Sequence, residues 1–537
     1  MHSPNVLIVG AGPTGLTLAN VLARYRIPCT LIERAQRRSE QSKALAINVL
    51  SQLSFEMLGL AERLGATAQR IRRLNVSYNG QRLNAVDLRW LNAGTRHVLA
   101  QPQSTTEAEL EEMFHGQGCR VRRGCELLSL AQDTRGVTVK LRTAQHGESD
   151  ERYDYIIGCD GKRSRVRDYL GIEMAGHDYE MHLVLGDYEL SWSRPSDQGY
   201  YLVFDDTFFV IIPITDRLWR VVVKRDGGFD PEGAIDTAEL RRFIESRLGQ
   251  GLLHGEAHWS SRAPLYLQQA ASLGKGRVFI AGDSAHLYSP IGGTGMNTGM
   301  QDAMNLGWKL AYSIRGFASG ARLLESYASE RLQVMKDTAL ATDVSTRLIG
   351  RLDTRGSEAM MPSARNRAAV RTMLPFAHSG LAQRYAVSAA VAQGAPGARA
   401  SESLGRFYAR WPELLLRLRQ TAQAPALTTH VLVFWAADAG WTKPAALAVL
   451  DEELRPYADF LQSWTVTFGT CSRPAGSDAH LDDTLARQCG GRDGLLMLIR
   501  PDGVVAVHTS LEQRDPLHDY LRLFSQTAPL TAQPVFA

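Results

Sequence analysis

Two glycine-rich blocks have the residue types and spacing that suit a bound phosphate or an electron-rich heterocycle. The first block, residues 10–15, has the pattern G-x-G-x-x-G. The second begins at Gly282-Asp283 and continues through Pro290 to Asn297. Glycines let backbone N–H groups approach a ligand closely, and the helix N-terminus that follows favours negative charge. Taken alone, the second block is equally typical of an ordinary strand-to-helix turn.

The elements around the first block complete a dinucleotide-binding pattern. The apolar run 6–9 predicts a buried strand, residues 16–25 predict a helix, and residues 29–32 predict a second strand that ends at Glu33-Arg34. In such units an acidic residue about 20 positions after the glycines accepts hydrogen bonds from ribose hydroxyls. We therefore predict a βαβ unit whose glycines form the pyrophosphate turn and whose Glu33 contacts ribose.

A third motif lies between the two blocks. Asp160-Gly161 follows an apolar strand at 155–158 and precedes the segment Lys162-Arg163-Ser164-Arg165-Val166-Arg167. The second block is flanked by a predicted strand at 277–281 and a predicted helix at 298–314. The three motifs, in this order across residues 5–335, resemble the class A flavoprotein monooxygenases, the aromatic hydroxylases. The resemblance implies bound FAD, with NADPH or NADH as a transient co-substrate that has no Rossmann domain of its own.

The resemblance also implies roles for individual residues around the cofactor. Asp283 is expected to bind the FAD ribose, and the Asp160 motif is expected to contact both FAD and the nicotinamide cofactor. Lys43 takes a cationic position that is an arginine in the family, which keeps the charge but loses the bidentate fork. Gln103 is expected to reach the ribityl chain, and the Leu127 backbone is expected to contact adenine.

The start of the helix after the second block is expected to face the flavin ring. Its N–H groups at residues 295–297 would stabilise the negative charge of the reduced flavin, and the Pro290 backbone would lie on the oxygen side of the ring. The complete predicted cofactor-binding set is Gly10, Gly12, Pro13, Thr14, Gly15, Glu33, Arg34, Lys43, Gln103, Leu127, Asp160, Gly282, Asp283, Pro290, Gly293, Gly295, Met296 and Asn297.

The fold class expected from these patterns is α/β, with a Rossmann-like FAD-binding domain, an inserted mixed β-sheet substrate domain and a C-terminal thioredoxin-like domain. A helix at 323–342 is predicted with Arg331 on a polar face, and residues 495–507 predict a hairpin turned by Pro-Asp-Gly. The C-terminal domain has no C-x-x-C, so it is interpreted as a structural or assembly module. The predicted domains are 1–175 with 273–340 (FAD-binding), 176–272 (substrate-binding), 341–398 (helical bracing and linker) and 399–537 (thioredoxin-like).

The substrate domain is predicted from alternating, aromatic-rich segments between residues 199 and 224. In the family such a sheet covers the substrate beside the flavin. Each of the aromatic and apolar candidates is at least as well explained as core, and no phenol-activating base can be named. The candidates for the pocket lining are Tyr201, Phe204, Phe209, Ile211 and Trp219.

The resemblance implies a reaction in which NAD(P)H reduces FAD, O₂ adds at the flavin C4a, and the hydroperoxide hydroxylates a phenolic or polycyclic, polyketide-like aromatic compound. A Baeyer–Villiger or epoxidising oxygenase on the same scaffold is one alternative, because it uses the same flavin chemistry. A FAD-binding carrier without turnover is another. A flavin halogenase is disfavoured because the chain has no Trp-x-Trp-x-Ile-Pro segment.

Bulk properties limit the remaining function classes. The net charge of +4 without basic runs does not indicate a nucleic-acid partner, and no stretch predicts a membrane span. The six cysteines show no metal-binding spacing, so no metal site is predicted. They are typical of reduced thiols in a cytoplasmic protein. The expected partners are a small aromatic substrate and O₂, and a homodimer is left open.

Overall fold

The computed structural model describes residues 5–39, 42–88, 97–224, 235–318, 321–350, 383–385, 388–391, 428–439, 441–470, 473–488 and 491–524. The end of the predicted bracing and linker region, residues 394–398, and the predicted boundary at 398/399 lie outside the described residues. Within the described parts, no helix is both long and apolar enough to cross a membrane.

Strands and helices follow one another through most of the described chain. In chain order the strands are β1 Val6–Val9, β2 Cys29–Glu33, β3 Ala46–Ile47, β4 Gln69–Ile71, β5 Arg73–Tyr78, β6 Gln81–Asp87, β7 Val98–Ala100, β8 Val121–Arg123, β9 Cys125–Asp133, β10 Gly136–Thr143, β11 Gly147–Tyr153, β12 Tyr155–Gly158, β13 Met174–Leu190, β14 Gln198–Val203, β15 Phe208–Pro213, β16 Leu218–Lys224, β17 Leu253–Ala270, β18 Gly274–Lys275, β19 Val278–Ile280, β20 His286–Leu287, β21 His430–Ala437, β22 Leu461–Phe468, β23 Ala479–Leu481, β24 Leu495–Ile499 and β25 Val505–Ser510. The helices are α1 Pro13–Arg24, α2 Val49–Leu58, α3 Ala61–Thr67, α4 Gln103–Gly116, α5 Arg165–Leu170, α6 Thr237–Leu248, α7 Gly295–Ile314, α8 Arg322–Gly350, α9 Ala445–Leu454, α10 Asp483–Gln488 and α11 Asp515–Leu521.

The dinucleotide-type sheet has the strand order β18-β19-β12-β1-β2-β8. Strand β1 lies between β2 and β12 and is parallel to both, and β12 is parallel to β19. All four residues of β1 are buried, as expected for an apolar strand of a parallel sheet covered on both faces. Helix α1 packs against α4 and α7. The predicted βαβ unit and the strand before the second glycine-rich block are therefore confirmed.

The second large sheet has the order β20-β17-β13-β16-β15-β14-β5-β6. Its strands at 199–224 pair antiparallel, as predicted. Two of its strands, β5 and β6, come from residues 73–87, within the range predicted for the FAD-binding domain, and β5 is parallel to β14. The sheet therefore draws on more of the chain than residues 176–272, and the domain limits themselves stay a prediction.

The two faces of this sheet have different neighbours. On one face Tyr200, Phe209 and Trp219 form a core with Leu240 and Ile244 of α6. On the other face, side chains from the same strands pack with Ile291, which belongs to the second glycine-rich block. Successive residues of a strand point to opposite faces, so alternation decides which side chains face the FAD-binding domain.

The C-terminal sheet has the order β23-β22-β21-β24-β25. Strand β21 is parallel to β22 and antiparallel to β24, and β24 forms a hairpin with β25, which confirms the predicted hairpin. In the chain, helix α9 lies between β21 and β22, α10 lies between β23 and β24, and α11 follows β25. This order fits the thioredoxin-like domain that the sequence predicts, and that assignment stays a prediction.

The C-terminal sheet and the dinucleotide-type sheet share one continuous apolar core. Tyr312 at the end of α7 is fully buried, and its hydroxyl group lies 3.2 Å from Nδ1 of His430 at the start of β21. The other ring nitrogen of His430 lies 2.8 Å from the hydroxyl of Tyr520 on α11. The C-terminal unit is therefore packed tightly against α7, the helix that follows the second glycine-rich block.

Candidate active site

In the glycine-rich turn after β1, only the middle glycine of the motif, Gly12, borders open space. Gly10 has φ +103°, and a Cβ there would lie 2.3 Å from the carbonyl oxygen of Cys159. A Cβ on Gly15 would lie 2.0 Å from the carbonyl oxygen of Gly10. A Cβ on Gly12 would meet no protein atom within 4 Å. Gly10 and Gly15 are thus required by packing, whereas Gly12 opens toward the space in front of α1, which begins at Pro13 without a side-chain cap.

Glu33 at the end of β2 fixes this turn. Its carboxylate accepts hydrogen bonds from the backbone N–H of Ala11 at 3.0 Å and of Ala35 at 2.9 Å. The predicted contact of Glu33 with ribose stays a prediction, with the carboxylate already held beside the glycine-rich turn. The neighbouring Arg34 is exposed.

The second glycine-rich block meets the first at Gly282. This residue has φ +63°, and a Cβ on it would lie 2.4 Å from Oγ1 of Thr14 in the first turn of α1. Asp283 is exposed between two buried neighbours. The surrounding protein nevertheless desolvates its carboxylate and raises its pKa, an effect that His286 and Lys43 partly offset. An exposed carboxylate that the surrounding protein still desolvates is typical of the floor of a concave opening, and the family resemblance expects a bound ribose here.

The buried carboxylate of Asp302 holds the Gly282-Asp283 loop by a hydrogen bond to its backbone. Asp302 on α7 accepts hydrogen bonds from the backbone N–H of Gly282 at 3.0 Å and from Nε of Arg331 at 2.7 Å, and its carboxylate lies 2.8 Å from Nε2 of His286. Burial alone would raise the pKa of Asp302, but Arg331 and His286 outweigh it and lower that pKa. The prediction that Arg331 lies on a polar face was wrong: its side chain is fully buried.

The third motif is joined to the second by side-chain hydrogen bonds. One oxygen of Asp160 accepts from Ser164 at 2.6 Å and from Ser284 at 3.0 Å. The other oxygen accepts from the backbone N–H groups of Arg165 and Val166 at the start of α5. The Asp160 carboxylate therefore holds α5 against the Gly282-Asp283 loop, and its predicted contact with the cofactors stays a prediction.

Helix α7 begins with N–H groups that no side chain caps. The first N–H groups of any helix lack intrahelical acceptors, so those near Gly295 and Met296 can bind a partner of negative charge. The hydroxyl of Thr294, immediately before the helix, is enclosed and has no hydrogen-bond partner among the described residues. The side chain of Asn297 instead holds the protein together, donating to the carbonyl oxygens of Ala46 at 2.8 Å and Gly293 at 2.7 Å.

The segment with Lys43 lies across the opening from these motifs. Lys43 is exposed and close enough to Asp283 to lower the pKa of that carboxyl group. The Gln103 side chain accepts from the backbone N–H of Ala44 at 3.3 Å and donates to Glu107 at 2.9 Å. Sequence reasoning did not single out Glu107, although its spacing from Gln103 on one helix indicated a shared face. Burial raises the pKa of Glu107, and Gln103 partly offsets this.

Two further predicted cofactor contacts lie at the edges of this region. The Leu127 side chain is buried on β9 beside the dinucleotide-type sheet, so only its backbone is available to a ligand. Pro290 is exposed in the loop before α7, and its carbonyl oxygen accepts from the backbone N–H of Gly293 at 3.1 Å. The direct contacts of both residues with FAD stay predictions.

The face of the large sheet that packs with Ile291 is called the flavin-side face, and it contains one of the five predicted pocket residues. Tyr201 is half-buried and packs on the same side as Ile291. The other candidates belong to the core beside α6 on the opposite face, so they do not line the flavin-side surface. The reason is strand alternation, which puts Tyr200 and Tyr201 on different faces. The candidates in this core are Phe204, Phe209, Ile211 and Trp219.

Sequence reasoning missed the polar residues of the flavin-side face. Asp187 on β13 is paired with Arg220 of β16 on one side and with Trp259 of β17 on the other. Arg220 donates to Asp187 at 2.8 Å, and its guanidinium group lies 4.9 Å from the centre of the Trp259 ring. It also donates to the carbonyl oxygen of Lys43 at 3.0 Å. This row therefore links the sheet to the segment that borders the opening.

The residues that surround the opening fit FAD. An open Gly12, an uncapped α1 N-terminus and a carboxylate in a concave opening match a dinucleotide, and the uncapped α7 matches a ring that becomes anionic. The family described as "FAD binding domain" matches residues 3–342 of this chain. The chain belongs to the class A flavoprotein monooxygenases. Its cofactor is FAD, and NAD(P)H is the reductant expected for the family.

Proteins named as monooxygenases or hydroxylases resemble the chain over most of its length. It is 32% identical to the 6-methylpretetramide 4-monooxygenase of Streptomyces rimosus over 524 residues, covering 94% of this chain and 90% of that protein. It is 33% identical to the pentachlorophenol 4-monooxygenase of Sphingobium chlorophenolicum, covering 64% of each. The solved anhydrotetracycline hydroxylase of Streptomyces rimosus superposes with a TM-score of 0.77 at 28% identity, covering 98% of this chain and 99% of that one.

Proposed function

We propose that this monooxygenase uses NAD(P)H and O₂ to hydroxylate a polycyclic phenol of the polyketide class. The observation that carries the proposal is the flavin-side face of the sheet, where half-buried apolar and aromatic side chains lie opposite Ile291. Apolar groups left partly accessible between two layers suit a flat, apolar ligand. Support also comes from relatives whose names specify pretetramide and anhydrotetracycline substrates.

Tyr201 is the residue best placed to bind the phenolic oxygen. Its hydroxyl group has no hydrogen-bond partner among the described residues, and burial raises the pKa of Tyr201 to about 12. The hydroxyl therefore keeps its proton at neutral pH and can donate to a phenol or phenolate oxygen. When bound, FAD accepts electrons from NAD(P)H and activates O₂. The chain's own contribution is to orient the substrate and to stabilise negative charge on the ring at the start of α7.

The test uses the FAD-loaded protein with NADH or NADPH, ¹⁸O₂ and a panel of mono- and polycyclic phenols. The expected product is a phenol that has gained one labelled oxygen atom on its ring, with turnover fastest for the polycyclic members. A ring-expanded, labelled lactone would instead indicate Baeyer–Villiger chemistry. Absence of substrate-dependent NAD(P)H oxidation with every phenol would contradict hydroxylation.

We further propose a cytoplasmic location, where NAD(P)H is available. The free thiols of Cys29, Cys119, Cys125 and Cys159 support it, because such thiols are typical of a reducing compartment. Cell fractionation would test this. The homodimer left open by the sequence stays a prediction, which light scattering of the purified protein would check.

A further inference from the structure

We propose that Arg500, in the C-terminal domain, is a positioning residue for the FAD site. It would act through a buried chain of polar contacts that ends at the backbone N–H of Gly282. The inference depends on the proposed function only in that FAD binds beside Gly282-Asp283. It gives the C-terminal domain a role in cofactor binding, in place of a purely structural one.

The chain of contacts begins in the turn between β24 and β25. The Arg500 side chain is fully buried, and its guanidinium group donates to Glu330 at 2.8 Å, to the carbonyl oxygen of Ala390 at 3.0 Å and to Asp502 at 2.9 Å. Glu330 lies on α8 and also accepts from Lys309 of α7 at 2.8 Å. Burial alone would raise the pKa of Glu330, but Arg500 and Lys309 outweigh it and hold that pKa far below its usual value. Arg500 is therefore one of the two cations that keep Glu330 ionised.

The next step passes from Glu330 to its neighbour in the chain, Arg331. Both side chains are fully buried, and both are fixed by the same turn of α8. Tyr385 contacts both arginines: the centre of its ring lies 5.3 Å from the Arg500 guanidinium carbon and 5.8 Å from that of Arg331. Its hydroxyl group accepts from Nη1 of Arg331 at 3.3 Å. We therefore assign the coupling between Arg500 and Arg331 to Tyr385, which contacts both guanidinium groups, while the shared turn of α8 fixes the positions of Glu330 and Arg331.

The last step reaches the cofactor loop. Arg331 donates to Asp302 at 2.7 Å, and the other oxygen of Asp302 accepts from the backbone N–H of Gly282 at 3.0 Å. Arg331 also donates to the carbonyl oxygen of Thr298 on α7 at 3.1 Å. Because these groups are shielded from water, their electrostatic interactions are strong and depend sharply on geometry. The position of the Gly282-Asp283 loop is thus coupled to a charge that the C-terminal domain supplies.

The direct test compares FAD dissociation constants, measured by titrating the FAD-free protein with FAD. Arg500→Met removes the charge and keeps much of the volume, and we expect it to raise the dissociation constant by about tenfold. Arg500→Lys restores a cation and should recover part of the affinity. The matched control is Arg514→Met in the same domain, which breaks only a partly exposed ion pair with Glu453. This control should leave FAD affinity unchanged.

A double-mutant cycle separates coupling through this chain of contacts from general destabilisation. Tyr385→Phe removes the hydroxyl group that accepts from Arg331 and keeps the ring. If Arg500 acts through Tyr385 and Arg331, the effects of Arg500→Met and Tyr385→Phe on FAD affinity are not additive. The flavin reduction potential should shift in the same single variants, because the loop borders the cofactor.

Three outcomes would overturn the inference. They are wild-type FAD affinity in Arg500→Met, equal loss of affinity in Arg514→Met, and strict additivity in the cycle. If Arg500→Met does not fold, Tyr385→Phe alone still decides, because wild-type affinity and potential in that variant would contradict the proposed route. The FAD dissociation constant is measured without substrate. A negative hydroxylation assay would therefore contradict the proposed function without affecting the test of Arg500.

Discussion

The hydroxyl group of Thr14 occupies the space into which a Cβ on Gly282 would project, at a distance of 2.4 Å. The same Thr14 oxygen would lie 2.4 Å from a Cβ on Gly299 in α7. The first turn of α1 is thus seated between two glycines of the second motif and its helix. These segments are more than 260 residues apart in the chain, and they can approach to contact distance because neither glycine has a side chain. The two predicted halves of the FAD site form one surface at this contact.

Gly282→Ala is expected to weaken FAD binding by about tenfold or more, because the new methyl group must push Thr14 or the Asp283 loop aside. Fluorescence titration of the FAD-free protein with FAD measures the effect. Gly147→Ala is a matched control, since Gly147 has a similar φ of +68° against +63° but would meet no atom within 4 Å. Both variants carry the same kind of backbone strain. Equal FAD affinity in the two variants would contradict the packing argument.

Gly12→Val separates folding from cofactor binding. Its φ of −77° and ψ of −176° suit a β-branched residue, and a Cβ there meets no protein atom within 4 Å. We therefore expect the FAD-free variant to unfold at nearly the wild-type temperature and to fail to bind FAD, because valine fills the space predicted for the pyrophosphate. The flavin absorbance of the purified protein and the melting temperature without FAD test both parts. A variant that retains full flavin would place the pyrophosphate elsewhere.

Tyr201 and Phe209 test the two faces of the large sheet. Tyr201→Phe removes only a hydroxyl group on the flavin-side face, so we expect a several-fold higher KM for a phenolic substrate and little change in stability. Phe209→Leu changes the core beside α6 and is expected to reduce the free energy of unfolding by about 1 kcal/mol with KM unchanged. Steady-state kinetics and urea unfolding of both variants measure these effects. If Phe209→Leu raised KM and Tyr201→Phe lowered only stability, the face with Phe209, and not the face with Tyr201, would point to the flavin.

The part of the site that could be predicted from sequence is the part encoded locally. The turn from Gly10 to Gly15 and the acid Glu33 lie within one βαβ unit, where spacing alone determines geometry. The pairing of β5 with β14 joins residues 73–78 to 198–203, and no local pattern encodes such a register. The same limit explains why alternating aromatic residues predicted strands but not which strand face points to the flavin.

The buried charges were the main feature that sequence reasoning could not place. Arginine is almost never fully buried unless it is paired, so periodicity assigned Arg331 to a polar face. Its partner Asp302 lies 29 residues earlier, on another helix. Arg500 is similar: the Pro-Asp-Gly turn was predicted correctly, yet nothing local indicated that Glu330, 170 residues earlier, would pair with it.

His430, in the contact between α7 and the C-terminal sheet, predicts how the free energy of unfolding depends on pH. His430 is fully buried, and desolvation, together with the nearby Arg500, holds its pKa well below the ordinary value of 6.5. The unfolded chain binds a proton at this position as pH falls through about 6.5, whereas the folded protein does not. Unfolding therefore takes up a proton, and the His430 contribution to stability is lost as pH falls below 6.5, by up to about 1.4 kcal/mol per pH unit.

His430→Gln isolates this contribution. Glutamine does not titrate, so the variant is expected to be less stable than the wild type at pH 7.5 and to lose less stability on acidification to pH 5.5. Urea unfolding midpoints of both FAD-loaded proteins at several pH values give the two slopes, and other titrating groups cancel in the comparison. Parallel slopes would mean that His430 is protonated in the folded protein. That result would be incompatible with its enclosure between Tyr312 and Tyr520 beside the Arg500 charge.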